Sequence, residues 1–185
     1  MKNYRNYTIF GGIALVFLLV MVIGAIQYSQ PNIEPEATIA YGSNVCVTHS
    51  RGDKILMNEC DSNLLYNNGK DIIKAILGTG ANMGAIANIS LCNASASCGT
   101  PVAAGSEGFT AYTNCGLPSK IGTYGSLNTG NWSMYNTFTS TCDNVNSTST
   151  RLTNVTGGIF AGNTFTLVTL QTNDQLTINW TIWVE

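Results

Sequence analysis

The chain has 185 residues, with 8 Lys and Arg against 10 Asp and Glu and a single His, so only 10% of it is charged. A formal net charge of −2 removes the basic face that nucleic-acid binding requires, and no nucleic acid is expected as a partner. A hydrophobic content of 44% can bury a core, which excludes a chain kept unfolded by solvated charge.

Lys2 and Arg5 precede an uncharged apolar run over residues 8–26, and the next charge after Arg5 is Glu34. Nineteen helical residues at about 1.5 Å each reach roughly 28 Å, enough for a bilayer core. The basic residues hold the N-terminus in the cytoplasm and send the rest of the chain outward. The reading is therefore a single-pass signal-anchor with the lipid bilayer as partner. Two alternatives stay open: a cleaved signal peptide that leaves a secreted protein, and a pilin-like leader cut after Gly11 or Gly12. Residues 1–27 form the cytoplasmic stub and membrane helix, and residues 28–37, with Pro31 and Pro35, an extended stalk. Residues 38–185 form the exported domain.

Within that domain VCVTHS, RGD and KILMNEC read as a β-hairpin about Gly52 and Asp53. A helix is predicted over residues 68–77, where Ile72, Ile73, Ile76 and Leu77 share a face and Gly78 stops it. Strand patterns follow in AIANISL, in TYGSL and in NWSMYNTFTST around Asn128-Thr129-Gly130. The last pair is TFTLVTL and QLTINWTIWVE. The final strand alternates Leu176, Ile178, Trp180, Ile182 and Val184 against Thr177, Asn179, Thr181 and Trp183, so one face is buried and one wet. The fold expected is mainly β: an antiparallel, jelly-roll-like β-sandwich with one short capping helix and a separate N-terminal transmembrane helix.

All six cysteines lie beyond the apolar run, where thiols can stay oxidised, and their spacings do not make a zinc set. Cys46 and Cys60 are symmetric about residue 53, Cys115 and Cys142 about the midpoint of Asn128 and Thr129, and Cys92 lies near Cys98. These are the expected disulfides, with a one-residue bulge allowed for in the third hairpin. Asn88, Asn93, Asn131, Asn146, Asn154 and Asn179 begin Asn-x-Ser/Thr sequons and are the glycosylation candidates.

The runs THSRGDKILMNECDSNLLYNNGKDIIKAILGTGA, IANISLCNAS, GTYGSLNTGNWSMYNTFTST and GGIFAGNTFTLVTLQTNDQLTINWTIW, spread over residues 45–184, resemble a family of small β-sandwich proteins of archaeal genomes and tailed viruses. Its members are described as tail-fibre or virion structural proteins. The resemblance implies a structural or adhesive surface role without catalytic residues. The anchor and the six cysteines depart from the viral pattern and favour a surface protein of an archaeal cell or of an enveloped virus.

Other motifs carry weaker chemistry. GTGANMG imitates a dinucleotide loop, but a helix precedes it and a strand follows, so the helix dipole is reversed for phosphate. Arg51-Gly52-Asp53 spells an adhesion tripeptide that also serves as a hairpin turn. His49, the sole histidine, sits in a strand without a nucleophile pattern beside it. Glu59 and Asp61 share a strand face as a potential acid or calcium pair, and Asp143, Asn144 and Asn146 only begin a calcium loop. Trp180 and Trp132 fall on the inward phase, whereas Trp183 falls on the wet one and is the ligand-contact candidate.

No catalytic, cofactor-binding or metal site is assigned, and the protein is expected not to be an enzyme. The function expected is a structural surface protein, membrane-anchored and exported. The alternatives are a filament subunit assembled by donation of the segment 36–47 to a neighbour, which is the self-association considered, and a glycan-binding or adhesion module.

Overall fold

The computed structural model describes residues 41–105 and 108–184. The apolar run at 8–26, the stalk and the expected domain start at residue 38 lie outside the described residues. Among the described residues no helix is long and apolar enough to cross a membrane.

Among the described residues ten strands form two antiparallel sheets. In the first, the order is β2 (Lys54–Ser62), β1 (Tyr41–Arg51), β10 (Gln175–Val184), β7 (Asn131–Thr139) and β6 (Thr123–Asn128). In the second, it is β3 (Leu64–Leu65), β9 (Ile159–Leu170), β8 (Val145–Asn154), β4 (Ile86–Leu91) and β5 (Lys120–Ile121). Alternation along β10 drives the packing: Leu176, Ile178, Trp180 and Ile182 are fully buried, beside Val45 and Val47 of β1. The second sheet brings Ile89, Leu91, Leu152, Phe160 and Leu170 into the same core. Burying a side chain of this size contributes about 1.5–3 kcal/mol, so these residues dominate the driving force for closure of the sandwich.

The β1–β2 hairpin closes through Gly52 and Asp53, with Gly52 at φ 56, a conformation that costs glycine little. Cys46 and Cys60 oppose each other directly in that register and form a disulfide. Cys92 pairs with Cys98, within a long connection pinned by the bridges Cys92 to Ala111 and Cys98 to Phe109.

Cys115 pairs with Cys142 by a route other than simple hairpin register. The pairing of Tyr124 with Met134 would carry a continuous strand from Cys115 to Asp143, one residue too far. Instead the chain leaves the extended conformation at Cys115 (φ 57) and Gly116 (φ 73), and the Thr141 amide donates to the Cys115 carbonyl at 3.0 Å.

The single helix among the described residues, α1 (Asn67–Thr79), is longer than the residues 68–77 expected. Gly78 does not stop it. It ends at Gly80, whose left-handed backbone (φ 64) lets the amide return to the Ala75 carbonyl. Ile72 is fully buried and Gly69 faces the Phe160 carbonyl so closely that a Cβ there would overlap it. Glycine is thus what allows α1 to seat on β9.

Strand β8 has no counterpart in the hydrophobic pattern, because Ser147, Ser149, Thr150 and Asn154 occupy buried positions along it. β1 and β10 each have a neighbour on both sides, so the described part of the segment 36–47 is paired within its own sandwich.

Candidate functional site

β1 and β10 run antiparallel, so one end of the first sheet carries Tyr41 and Trp183 and the other carries Arg51 and Gln175. The two ends have different chemistry.

At the Tyr41 end, β10 leaves its Thr-Asn-Thr outer face and presents Trp183 directly across from Gly42. The indole lies over Gly42, and a Cβ at that glycine would overlap its Cε2 and Nε1 atoms. Trp183 is half-buried and lines a cleft of about 740 Å³. The rest of the lining comes from Ser62 at the end of β2, from Asn63, from Leu64 and Leu65 of β3, and from Lys70 of α1. A hydrogen-bond chain fixes this lining: the Tyr41 hydroxyl donates to Ser43 Oγ at 2.9 Å, and Ser43 Oγ donates to Asn63 Oδ1. Burial pushes the Tyr41 phenol above its ordinary range, against the opposing effect of its bonded partners, so it remains a donor at neutral pH. A smaller apolar cavity of about 230 Å³ lies beside it, lined by Ile73, Ile76, Ile86, Trp132 and Phe160 with Tyr41 at the shared wall.

At the opposite end Asp174, from the β9–β10 turn, is fully buried. Its carboxylate accepts from Arg51 Nε and Nη2 at 2.7 and 2.8 Å, from the Gln171 amide at 2.9 Å, and contacts His49 Nε2 at 3.0 Å. The Arg51 guanidinium holds the carboxyl well below the usual range, with the Gln171 amide and His49 helping and burial opposing. Asp174 thereby ties the β1–β2 hairpin to the turn at the other side of β10. The adhesion tripeptide is accordingly not a freely presented motif: Arg51 is engaged by Asp174 while Asp53 is exposed in the turn. His49 is a buried member of this network, with a carboxylate partner and no hydroxyl or thiol nucleophile bonded to it.

The remaining sequence candidates separate. Glu59 Oε2 accepts from the Thr166 amide at 3.1 Å, where β9 bulges, and Asp61 Oδ1 accepts from its own neighbour's amide in Ser62, so the two carboxylates do not act as a pair. The Thr172 amide donates to Asp143 Oδ1 at 2.8 Å and lowers that carboxyl below its ordinary value. Among the described residues no group of three or more His, Cys, Asp or Glu is placed to hold a metal ion. Of the glycines of GTGANMG, Gly78 lies in the last turn of α1 and Gly80 and Gly84 fall between α1 and β4, away from the N-terminus of α1.

Of the six sequons, Asn88, Asn93, Asn131, Asn146 and Asn179 are half-buried. Asn154 requires correction as a glycosylation candidate. It is 1% exposed; its Nδ2 donates to the Met83 carbonyl at 2.7 Å and its Oδ1 accepts from Thr156 and from the Gly158 amide. A glycan attaches at that buried Nδ2, which already donates to Met83.

Tyr41, Asn63 and Lys70 carried no linear signal as cleft residues, since they come from two strands' ends and a helix that only the fold brings together. Asp174 carried no linear signal either, since nothing in its neighbours announced Arg51 as its partner. Comparison with family models, curated proteins and solved structures finds no match to this chain.

Proposed function

We propose that this is a non-enzymatic structural surface protein, exported and held to a membrane by residues 8–26, which displays a rigid β-sandwich outside the cell or virion. The observation that carries this reading is that all six cysteines are joined in three disulfides within the sandwich, leaving none free. Such stapling belongs to an oxidising compartment, beyond the membrane that the apolar run would cross. Each bridge limits the unfolded ensemble: for loops of about 7, 15 and 28 residues the chain-entropy model gives roughly 2 to 4 kcal/mol apiece. That suits a domain exposed to a harsh exterior. A jelly-roll-like path is supported by β1 pairing with β10, and by β3 crossing to pair with β9 in the other sheet. The resemblance of residues 45–184 to small sandwich proteins of archaea and tailed viruses supports an archaeal cell surface or an archaeal virus as the setting.

The test is topological. Reporters fused to each end are expected to place the N-terminus in the cytoplasm and Glu185 outside, and intact mass is expected to retain residues 1–26. Non-reducing peptide mapping of the native protein is expected to recover the three cystines. Reduced cysteines in the native protein, or an external N-terminus, would overturn the proposal.

A further inference from the structure

The outer face of the first sheet carries small neutral polar side chains together with the Cys46–Cys60 bridge and Tyr135, which lies opposite Asn179. Thr48 donates to Asn58 across β1 and β2 at 2.9 Å, and Thr137 and Thr177 share a hydroxyl hydrogen bond at 2.8 Å across β7 and β10. Of the two aromatic residues on this phase, Tyr135 and Trp183, it is Trp183 that lines the cleft. The core does not call for it, because the opposite phase of β10 already supplies Leu176, Ile178, Trp180 and Ile182. Its ring is nevertheless held in one place. Gly42 offers bare backbone for the indole to lie on, and any larger residue at 42 would displace it.

We propose that the cleft between Trp183 and α1 is a carbohydrate-binding site that takes uncharged pyranose rings. Sugars present two kinds of surface, a face of C–H bonds that stacks on an aromatic ring and a rim of hydroxyls that both donate and accept. The cleft supplies both. Trp183 is the stacking platform. Asn44 and Ser62 on the outer face and the Lys70 ammonium offer amide, hydroxyl and N–H groups around it, while Asn63 backs the wall with its Nδ2 buried and its Oδ1 held by Ser43. The Tyr41–Ser43–Asn63 chain fixes Asn63 before any ligand arrives, which lowers the ordering cost of binding. The volume of about 740 Å³ lies within the range of small-ligand sites, roughly 300–1,000 Å³. A cleft whose lining is largely apolar, with Leu64 and Leu65 beside Trp183 and with one cation, amides and hydroxyls at its edge, matches the C–H face and hydroxyl rim of a neutral sugar better than a phosphate or a carboxylate-rich ligand, which would call for more than one positive group.

This site goes beyond the surface role and does not depend on it, since the topology experiment addresses the anchor and the sugar experiment the cleft alone. The full-length protein, in a sugar-free detergent, is titrated with maltotriose, cellotriose and chitotriose, following intrinsic tryptophan fluorescence and saturation-transfer NMR. At least one trisaccharide is expected to give a saturable response. Trp183→Ala is expected to weaken it about tenfold or more, as truncation of an aromatic anchor does. Gly42→Ala keeps the indole but moves it, and the same loss is expected. Lys70→Ala changes an exposed helix position and serves if Gly42→Ala does not fold; it is expected to weaken binding by a smaller factor while leaving the unfolding temperature unchanged. No saturable response to any of the three sugars overturns the proposal. So does a folded Trp183→Ala protein that binds as its parent does.

Discussion

Replacing Asp174 by Asn tests how the Arg51 end of the sandwich is held. The substitution keeps the shape of the side chain and removes its charge. Asp174 is fully buried and receives Arg51 twice, His49 and the Gln171 amide, so an amide in its place turns at least one acceptor into a donor facing donors. His49, 7% exposed, would lose its partner inside the protein, at about 1–3 kcal/mol. The Arg51 side chain is 54% exposed and can turn to water, so its share is left out of the total. With about 1 kcal/mol more for the weakened Gln171 amide bond, the total is about 2 to 4 kcal/mol. For a domain of this size that lowers the midpoint of thermal unfolding by about 10 °C. The pH dependence adds a second readout. The folded carboxyl titrates below its unfolded value of about 3.9, so the unfolded chain takes up the proton first on acidification. The stabilisation is complete above that value and is lost as pH falls through the folded one. Urea unfolding at pH 7 and at successive steps below pH 4 should therefore show parent and Asp174→Asn converging in acid. A variant within about 0.5 kcal/mol of its parent at pH 7, the ordinary scatter of surface changes, would refute this account of the network.

Three further outcomes follow from the geometry. Gly69→Ala, ordinarily stabilising by about 1 kcal/mol within a helix, is expected to destabilise here because its Cβ would overlap the Phe160 carbonyl; thermal unfolding reads the sign. In a host that glycosylates sequons, glycopeptide mass spectrometry is expected to find Asn154 unmodified, and Asn154→Ala to cost about 2–3 kcal/mol through the buried groups it leaves unpaired. The double variant Cys46→Ser, Cys60→Ser is expected to lower stability by about 3 kcal/mol in chemical unfolding, the chain-entropy value for its 15-residue loop, without changing the strand register.

How much of this could be read from the chain depended on whether side-chain polarity tracked burial. In β10 it did: Trp180 and Trp183 are three residues apart, and period two alone sent the first inward and the second to the wet face. In β8 it failed. Ser147, Ser149 and Thr150 are buried with small polar side chains, and Thr150 satisfies itself on the Ser90 carbonyl at 2.9 Å, so no hydrophobic alternation marks the strand. Cys46 with Cys60 was legible because a β-bulge between His49 and Ser50, inside the bridged stretch, shifts the register of the two-residue turn by one and sets the two cysteines opposite each other, as symmetry about residue 53 requires. Cys115 with Cys142 reached the same partners by a different path, since left-handed turns at Cys115 and Gly116 offset the register that symmetry alone would require. The end of α1 was misplaced because Gly78 is tolerated inside a helix when Gly80 supplies the left-handed cap two residues on.

The candidate cleft was hardest to see, and the low charge of the chain explains why. Motif reading works best where catalysis or metal binding demands ionisable groups at fixed spacing, and only 10% of these residues are charged. The one buried carboxylate with a strong electrostatic signature, Asp174, spends it on Arg51 and His49 to fasten a hairpin. At the other end the fastening is neutral: an indole on a glycine and a Tyr-Ser-Asn hydrogen-bond chain, between elements that meet only after folding. A locked end and an open, uncharged end on one sheet divide the labour of the fold. Charge at the Arg51 end fixes the sandwich, and the Tyr41 end, with no ion pair among the described residues to fill it, keeps the aromatic and amide surface from which the sugar-binding proposal is drawn.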